Sequence, residues 1–428
     1  MRRVAITGIG LVTPLAAGAE ANWQALLEGR SAIGPIRAFD PSSLHTRIAA
    51  EIPDFDPKPY VTNRRALRMM TRSDLFAVAG AFLAVQDAGN PFSPETADRA
   101  GLFVGANKET SKLDPFLEGV LVARGPDGVP DVRRVGEAAR THFPPLFFIE
   151  GLQAASLFYV SEAWGLKGAN TYFAGTADAG ATAVGRAFRS IRSGEADRAI
   201  AGGFDDATSW WTLAKYDGMG FLSDRNELGA GACRPFDRRR TGAVLGEGAA
   251  ILLLEEYEAA RKRGARIHAE IVGFGSAYDC HATLTPHPDG RGLARAMGAA
   301  LRDASLIPAD VSYVAAHGSG TRTGDASEAR ALRTVFGAGA KGVAGSSVKA
   351  ATGHLMAAAG ALNVAVAALA LEHQVLPPTL NLDDVDPKCA FDWVGGKPRA
   401  ARVEQALALA RGLGGQSVAL ALRAVRPA

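Results

Sequence analysis

Apolar and polar positions follow one another along this chain in short blocks, and the blocks predict strands taking turns with helices. Residues 4–6 form an apolar run that leads into Gly8 and Gly10, the pattern of a buried strand entering a tight turn. Helical spacing follows at 21–28. It is stronger at 73–88, where Leu75, Phe76, Val78 and Ala79 lie near the start. A short strand is predicted at 102–104. Residues 126–134 are polar and rich in Gly, Pro and Asp, as a loop would be. A helix at 179–192, strands at 198–201 and 249–254, and a charged helix at 255–263 come next. A second set of elements begins with a strand at 267–272. It continues through a helix at 292–304, a strand at 314–316, a helix at 326–335 and a long apolar helix after His354.

Buried strands alternating with helices predict α/β layers. The alternation restarts near residue 258, which is compatible with an internal duplication into halves at 1–257 and 258–428. No low-complexity linker separates these halves, so they are expected to pack as one body. Residues 355–371 carry no charge over a length just short of a membrane span. Their richness in Ala and Gly fits a helix inside a protein better, and no membrane span is expected.

Composition narrows the function classes. A net charge of +3 lacks the basic excess of a nucleic-acid binder, so none is expected as a partner. Cys233, Cys280 and Cys389 are scattered and show no metal-ligand spacing. No metal and no cofactor are expected, and a reducing, cytoplasmic setting is the simpler reading. The first residues hold too short an apolar run for a signal peptide.

Three segments carry candidate chemistry. In Val314-Ala315-Ala316-His317-Gly318-Ser319-Gly320-Thr321 a strand delivers a histidine into a loop of small residues, which leaves room for a substrate to reach the ring. A buried structural histidine accounts for this pattern equally well. In Lys349-Ala350-Ala351-Thr352-Gly353-His354 a lysine and a histidine flank a glycine turn before an apolar helix, whose N-terminus favours negative charge. A helix cap with an incidental histidine is the plainer alternative. In Gly168-Ala169-Asn170-Thr171-Tyr172-Phe173-Ala174-Gly175-Thr176-Ala177-Asp178 a short strand enters a turn from which a helix opens. A nucleophile would gain the helix dipole there, yet neither Cys nor Ser is present. Asp178 can be read simply as the helix cap.

Together with Val4-Ala5-Ile6-Thr7-Gly8-Ile9-Gly10, Arg234-Pro235-Phe236-Asp237, Leu245-Gly246-Glu247-Gly248 and Gly412-Leu413-Gly414-Gly415, these segments resemble the β-ketoacyl-acyl-carrier-protein synthases of the thiolase-fold superfamily. The resemblance runs from the first strand to the last. It implies a five-layered αβαβα fold with two duplicated halves. It also implies roles for His317 and His354 in decarboxylating a malonyl thioester, with Lys349 supporting the second and paired with Glu328. In that family a cysteine carries the growing acyl chain. Ungapped matching puts Ala177 at its position, and a gapped alternative puts Asp178 there. Neither is a thiol, and Cys233 is no substitute. The family's gating phenylalanine corresponds to Leu413.

The resemblance further implies contact with an acyl carrier protein through Arg64, Arg65, Arg68 and Arg72, although a solvated helix face explains the same residues. It places the pocket floor and tunnel at Phe147 and Phe148 and within Glu109 to Phe116, where ordinary core is the alternative. A synthase-like chain without the thiol resembles a chain length factor, which pairs as a heterodimer with an active ketosynthase in fatty acid or type II polyketide synthesis. Many such subunits also lose the histidines that this chain keeps. A malonyl-carrier decarboxylase and a synthase inactivated by a Cys-to-Ala change are the alternatives.

Overall fold

Eleven strands form the central framework of this computed structural model, which describes residues 1–107, 113–337 and 342–425, with the backbone alone at Phe148. They are β1 (Val4–Val12), β2 (Ala100–Ala106), β3 (Asn170–Ala174), β4 (Arg198–Asp205), β5 (Gly248–Glu256), β6 (Ala269–Tyr278), β7 (Tyr313–Ala315), β8 (Ala344–Ser346), β9 (Asp392–Trp393), β10 (Gln405–Arg411) and β11 (Gln416–Arg423). Their lateral order is β9-β8-β7-β10-β11-β6-β1-β5-β4-β2-β3.

Divided between β6 and β1, this order yields two sets built on one plan. In each, the second strand (β2 or β7) runs parallel to the third (β3 or β8) and to the fourth (β4 or β10). The fourth runs antiparallel to the fifth (β5 or β11), and the fifth antiparallel to the first (β1 or β6). β9 extends one outer edge. The sets join where Val4, Ala5 and Ile6 of β1 lie opposite Ile271, Glu270 and Ala269 of β6.

Five helices build the layers: α1 (Arg72–Asp87), α2 (Ala177–Ser193), α3 (Arg291–Asp303), α4 (Arg322–Phe336) and α5 (Ala359–His373). α1 packs on β1, β4 and β5, while α3 packs on β6 and β11 and against α4. α2 and α5 touch each other and strands of both sets, so they form the middle layer. The result is the expected thiolase-like stack of helix, sheet, helix, sheet and helix. α5 is apolar all round because it is enclosed all round, every residue from Ala359 to Leu371 being buried. Met356–His373 is, among the described residues, long and apolar enough to cross a membrane, and it is the core of this middle layer.

Three expectations about local structure fail for physical reasons. β1 does not turn at Gly8 and Gly10 but runs through both. A Cβ on Gly8 would lie 2.1 Å from the Ala84 carbonyl oxygen, and one on Gly10 would lie 1.9 Å from that of Gly80. The glycines therefore let α1 lie directly on the strand. The loop expected at 126–134 stops earlier, because Asp131 accepts from the Arg133 amide at 2.9 Å and opens a helix at Val132–His142. The charged helix expected from 255 begins at Tyr257, since Glu255 is still strand. Glu255 is buried there because the Thr7 hydroxyl (2.6 Å) and the Arg263 guanidinium both donate to it.

A partly buried ion cluster around the buried His268 stitches the layers together. His268, at the start of the second set, places Nδ1 2.7 Å from Glu372 of α5 and Nε2 2.8 Å from Asp87 of α1. The same Asp87 oxygen accepts from the Ile9 amide of β1 at 2.8 Å. With both ring nitrogens facing carboxylates, the imidazole is held above its usual pKa, its bonds to Asp87 and Glu372 outweighing the larger opposing effect of burial.

Candidate functional site

β3 ends at Ala174, and α2 opens three residues later at Ala177. Ala177 is fully enclosed, its carbonyl lying where a Cβ on Gly360 of α5 would come within 2.2 Å. A methyl group therefore occupies the point where a strand-to-helix turn would present a nucleophile. Asp178 is the second residue of the helix rather than its cap, and Thr176 makes no side-chain cap bond. Burial pushes the Asp178 carboxyl up from its ordinary value. Its oxygen lies against Gly412, where a Cβ would come within 2.2 Å. The Leu413 amide, from the turn joining β10 to β11, donates to the Thr176 hydroxyl at 3.1 Å. A backbone donor that faces this turn is thus already satisfied from inside the protein.

The two histidines meet. Their ring centroids are 5.4 Å apart, with the planes at 76°. His317 follows β7 and is fixed through its backbone. Glu328 of α4 accepts from the amides of His317 and Gly318, each at 2.7 Å, and the Lys349 ammonium donates to the His317 carbonyl. Lys349 and Glu328 thus act on the same loop from two sides, where a direct pair was expected. His354 follows Gly353, whose φ of 70° lies in the left-handed region that turns the chain. Its Nδ1 accepts from the Met356 amide at 3.1 Å, which leaves the proton on Nε2. Burial first, and the Lys349 charge next, push both imidazoles well below their ordinary value. Lys349 itself is lowered to about 8 by burial. The pair is therefore neutral at pH 7, and Nε2–H of His354 meets no acceptor among the described residues.

Beside His317 lies a small cavity of about 40 Å³, lined in part by Phe221, Ser319, Thr321, Arg411 and Leu413. That is room for a water or two. Pockets that enclose organic ligands are typically about 300 Å³ or more. The His317 Nδ1 atom is buried without a hydrogen-bond partner among the described residues.

Several positioning residues escaped the sequence reading. Asn363, the one polar residue in the buried 359–371 run of α5, donates to the carbonyls of Ala316 (3.0 Å) and Leu409 (2.8 Å), so it ties the residue before His317 to β10. A single amide inside an uncharged run was the available signal. Asp205, at the end of β4, accepts from the Ala357 amide at 3.2 Å and steadies the entry to α5. The Arg-Pro-Phe-Asp segment is a brace. The Phe236 amide donates to Asp325 at 2.8 Å, and Asp325 also accepts from Gly320 in the His317 loop at 3.1 Å. Cys233 is enclosed, and burial raises its thiol to about 12, which makes it inert as a nucleophile.

The remaining candidates divide. Arg64, Arg65 and Arg68 are exposed around a short turn of helix before α1. Arg72 leaves this group. Its guanidinium binds buried Glu247 at 2.8 and 2.7 Å and the Ile52 carbonyl at 2.6 Å, so it is a structural ion pair. Of the tunnel candidates, Leu413 borders the histidine cavity. Phe116 and Phe147 flank Phe143, with ring centroids at 5.6 and 5.0 Å, on helices outside the central layers. Glu109 lies outside the described residues, as does the side chain of Phe148.

Comparison with known proteins agrees with this architecture. Family models described as the N-terminal and C-terminal domains of beta-ketoacyl synthase match residues 1–260 and 268–383. The chain is 36% identical over 424 residues to a 3-oxoacyl-[acyl-carrier-protein] synthase 2 of Synechocystis, covering 99% of this chain and 98% of that protein. It is 40% identical over 427 residues to a putative polyketide beta-ketoacyl synthase 1 of Streptomyces cyaneus, covering 98% of each. Among solved structures it is similar to a beta-ketoacyl synthase from Burkholderia phymatum, with a TM-score of 0.87, 34% identity and full coverage of both chains. It is also similar to the ishigamide ketosynthase/chain length factor, with a TM-score of 0.86 and 31% identity over 99% of this chain and 100% of that one. The twofold strand plan, the joined histidines and these matches agree that the chain belongs to the beta-ketoacyl synthase family.

Proposed function

We propose that this chain is a chain-length-factor-type subunit, which pairs with an active ketosynthase and shapes the acyl tunnel without condensing anything itself. The observation that carries this reading is the start of α2. Ala177 offers no thiol, and the adjacent Thr176 hydroxyl takes up the Leu413 amide that a reacting carbonyl would need. An otherwise intact synthase altered only at its cysteine would not be expected to show Thr176 and Asp178 filling the same turn. The outer edge of β3 has no neighbouring strand among the described residues, and Asn170, Thr171 and Ala174 are exposed, as a pairing edge requires. Structural similarity to the ishigamide ketosynthase/chain length factor supports the same reading. Acyl carrier protein is the natural third partner, met by exposed Arg64, Arg65 and Arg68.

Co-expression with a candidate synthase, followed by native mass spectrometry, tests the pairing. In the reconstituted pair, Phe147→Ala is expected to lengthen the products at similar stability, because it opens the stack with Phe143. An unchanged length distribution together with no detectable heterodimer would remove both parts of the proposal.

A second reading is favoured by the neutral, joined histidines, which are what malonyl decarboxylation needs: N–H donors for the thioester oxygen as it gains enolate charge. Malonyl-carrier protein is expected to lose carbon dioxide slowly at best, because the cavity is small. His317→Ala and His354→Ala should abolish whatever is measured. If both variants match the parent, the pair is structural.

A further inference from the structure

The exposed edge of β3 borders a groove of about 900 Å³. One wall is the strand face bearing Thr171 and Phe173. The other is α2, which presents Arg186 and Arg189. These arginines are three residues apart, share one face of the helix and are exposed. Neither has an ion-pair partner among the described residues, and Arg189 only lies over the Phe274 ring, 4.7 Å from its centroid. The third arginine of the wall, Arg192, is paired with Asp303 at 3.0 Å. The one carboxylate of the wall, Glu195, already accepts from the Ser190 hydroxyl at 2.8 Å.

This charge pattern bears on which chain can dock. A two-fold pairing is self-complementary, so whatever lies beside its axis meets its own copy. α2 packs directly behind β3. A self-pair through β3 therefore brings Arg186 and Arg189 of one copy towards those of the other, and among the described residues lining the groove the carboxylate offset from each side is one hydrogen-bonded Glu195. We propose that this edge selects a partner of the same fold that carries carboxylates where this chain carries Arg186 and Arg189, and that it disfavours a self-pair. The proposal rests on the pairing described above and adds the means of discrimination: like charge against itself, opposite charge towards the partner.

A charge-reversed copy of the chain, Arg186→Glu with Arg189→Glu, serves as the surrogate acidic partner. Both positions are exposed, and a thermal melt confirms that the variant is folded. Should it not be, Arg186→Glu alone takes its place. Parent, variant and their mixture are compared by sedimentation and native mass spectrometry at low and high ionic strength. The mixed dimer is expected to be about tenfold tighter than the parent self-dimer and to weaken with salt. A parent self-dimer as tight as the mixed one, a salt-insensitive mixture, or monomers throughout would overturn the charge selection. Failure of the pairing itself reads out separately, as the absence of any heterodimer on co-expression with an active synthase.

Discussion

Supplied alone with acyl- and malonyl-carrier protein, the chain is expected to form no 3-ketoacyl product, and Ala177→Cys by itself is expected to restore almost none. The first half follows from the methyl at the head of α2, which cannot hold an acyl group. The second follows from its neighbours. A cysteine at 177 would gain the helix N-terminus, but the Asp178 carboxyl adjoins it and opposes formation of a thiolate wherever it is ionised. The Leu413 amide would stay committed to Thr176 and be unable to bind a thioester oxygen. Losing one such donor typically costs about 10²–10³ in rate. Thr176→Ala combined with Ala177→Cys should therefore exceed Ala177→Cys alone by roughly that factor, and Asp178→Ser should add to it. Acylation followed by intact-protein mass spectrometry, and product formation by chromatography, give the comparison. Robust turnover by the unaltered chain would sink the non-catalytic reading. Equal rates for the single and double variants would sink the role given to Thr176.

His268→Gln is expected to be the most damaging single substitution outside the histidine site. It removes the cation between Asp87 and Glu372, which tie α1 and α5 to the start of the second set. Breaking a fully buried ion pair costs about 3–5 kcal/mol. The carboxylate side chains retain 23% and 21% exposure, so the lower end, about 3 kcal/mol, applies. The pH dependence has a definite sign. The folded pKa of His268 is raised, so its contribution is fully present below the unfolded value and is lost as pH rises through the folded value. Urea denaturation of parent and variant should differ most below about pH 6 and converge in alkali. A difference that stays constant or grows with pH would show that the imidazolium is not the source. Arg266, which donates to the other oxygen of Glu372 at 2.7 Å, remains in both proteins and cancels in the comparison.

Local pattern carried the reading of the elements a long way. α1, α2, α3 and α4 lie within a few residues of their predicted bounds, because each has an apolar face at helical spacing. The missing thiol was equally legible, since one position in a strand–turn–helix motif needs only its own residue and its neighbours. Failures came where the partner was distant in sequence. Gly8 and Gly10 look like a turn until α1 is laid on β1 and the glycines prove to be its seat. Arg72 looks like its exposed neighbours until Glu247, far along the chain, claims it.

The sequence by itself determined the alternation of strands and helices, the repeated plan, the two histidines and the lack of a thiol at the start of α2, because these depend on residue type and short-range spacing. Only the tertiary structure decided that His317 and His354 meet 5.4 Å apart, that Thr176 satisfies the Leu413 amide, and that His268 joins α1 to α5. Each of those contacts joins residues 37 or more positions apart, between elements whose approach is set by how α2 and α5 fill the space between two sheets. Hydrogen bonds and charge pairs of this kind depend on ångström distances, and those distances exist only once the layers have packed.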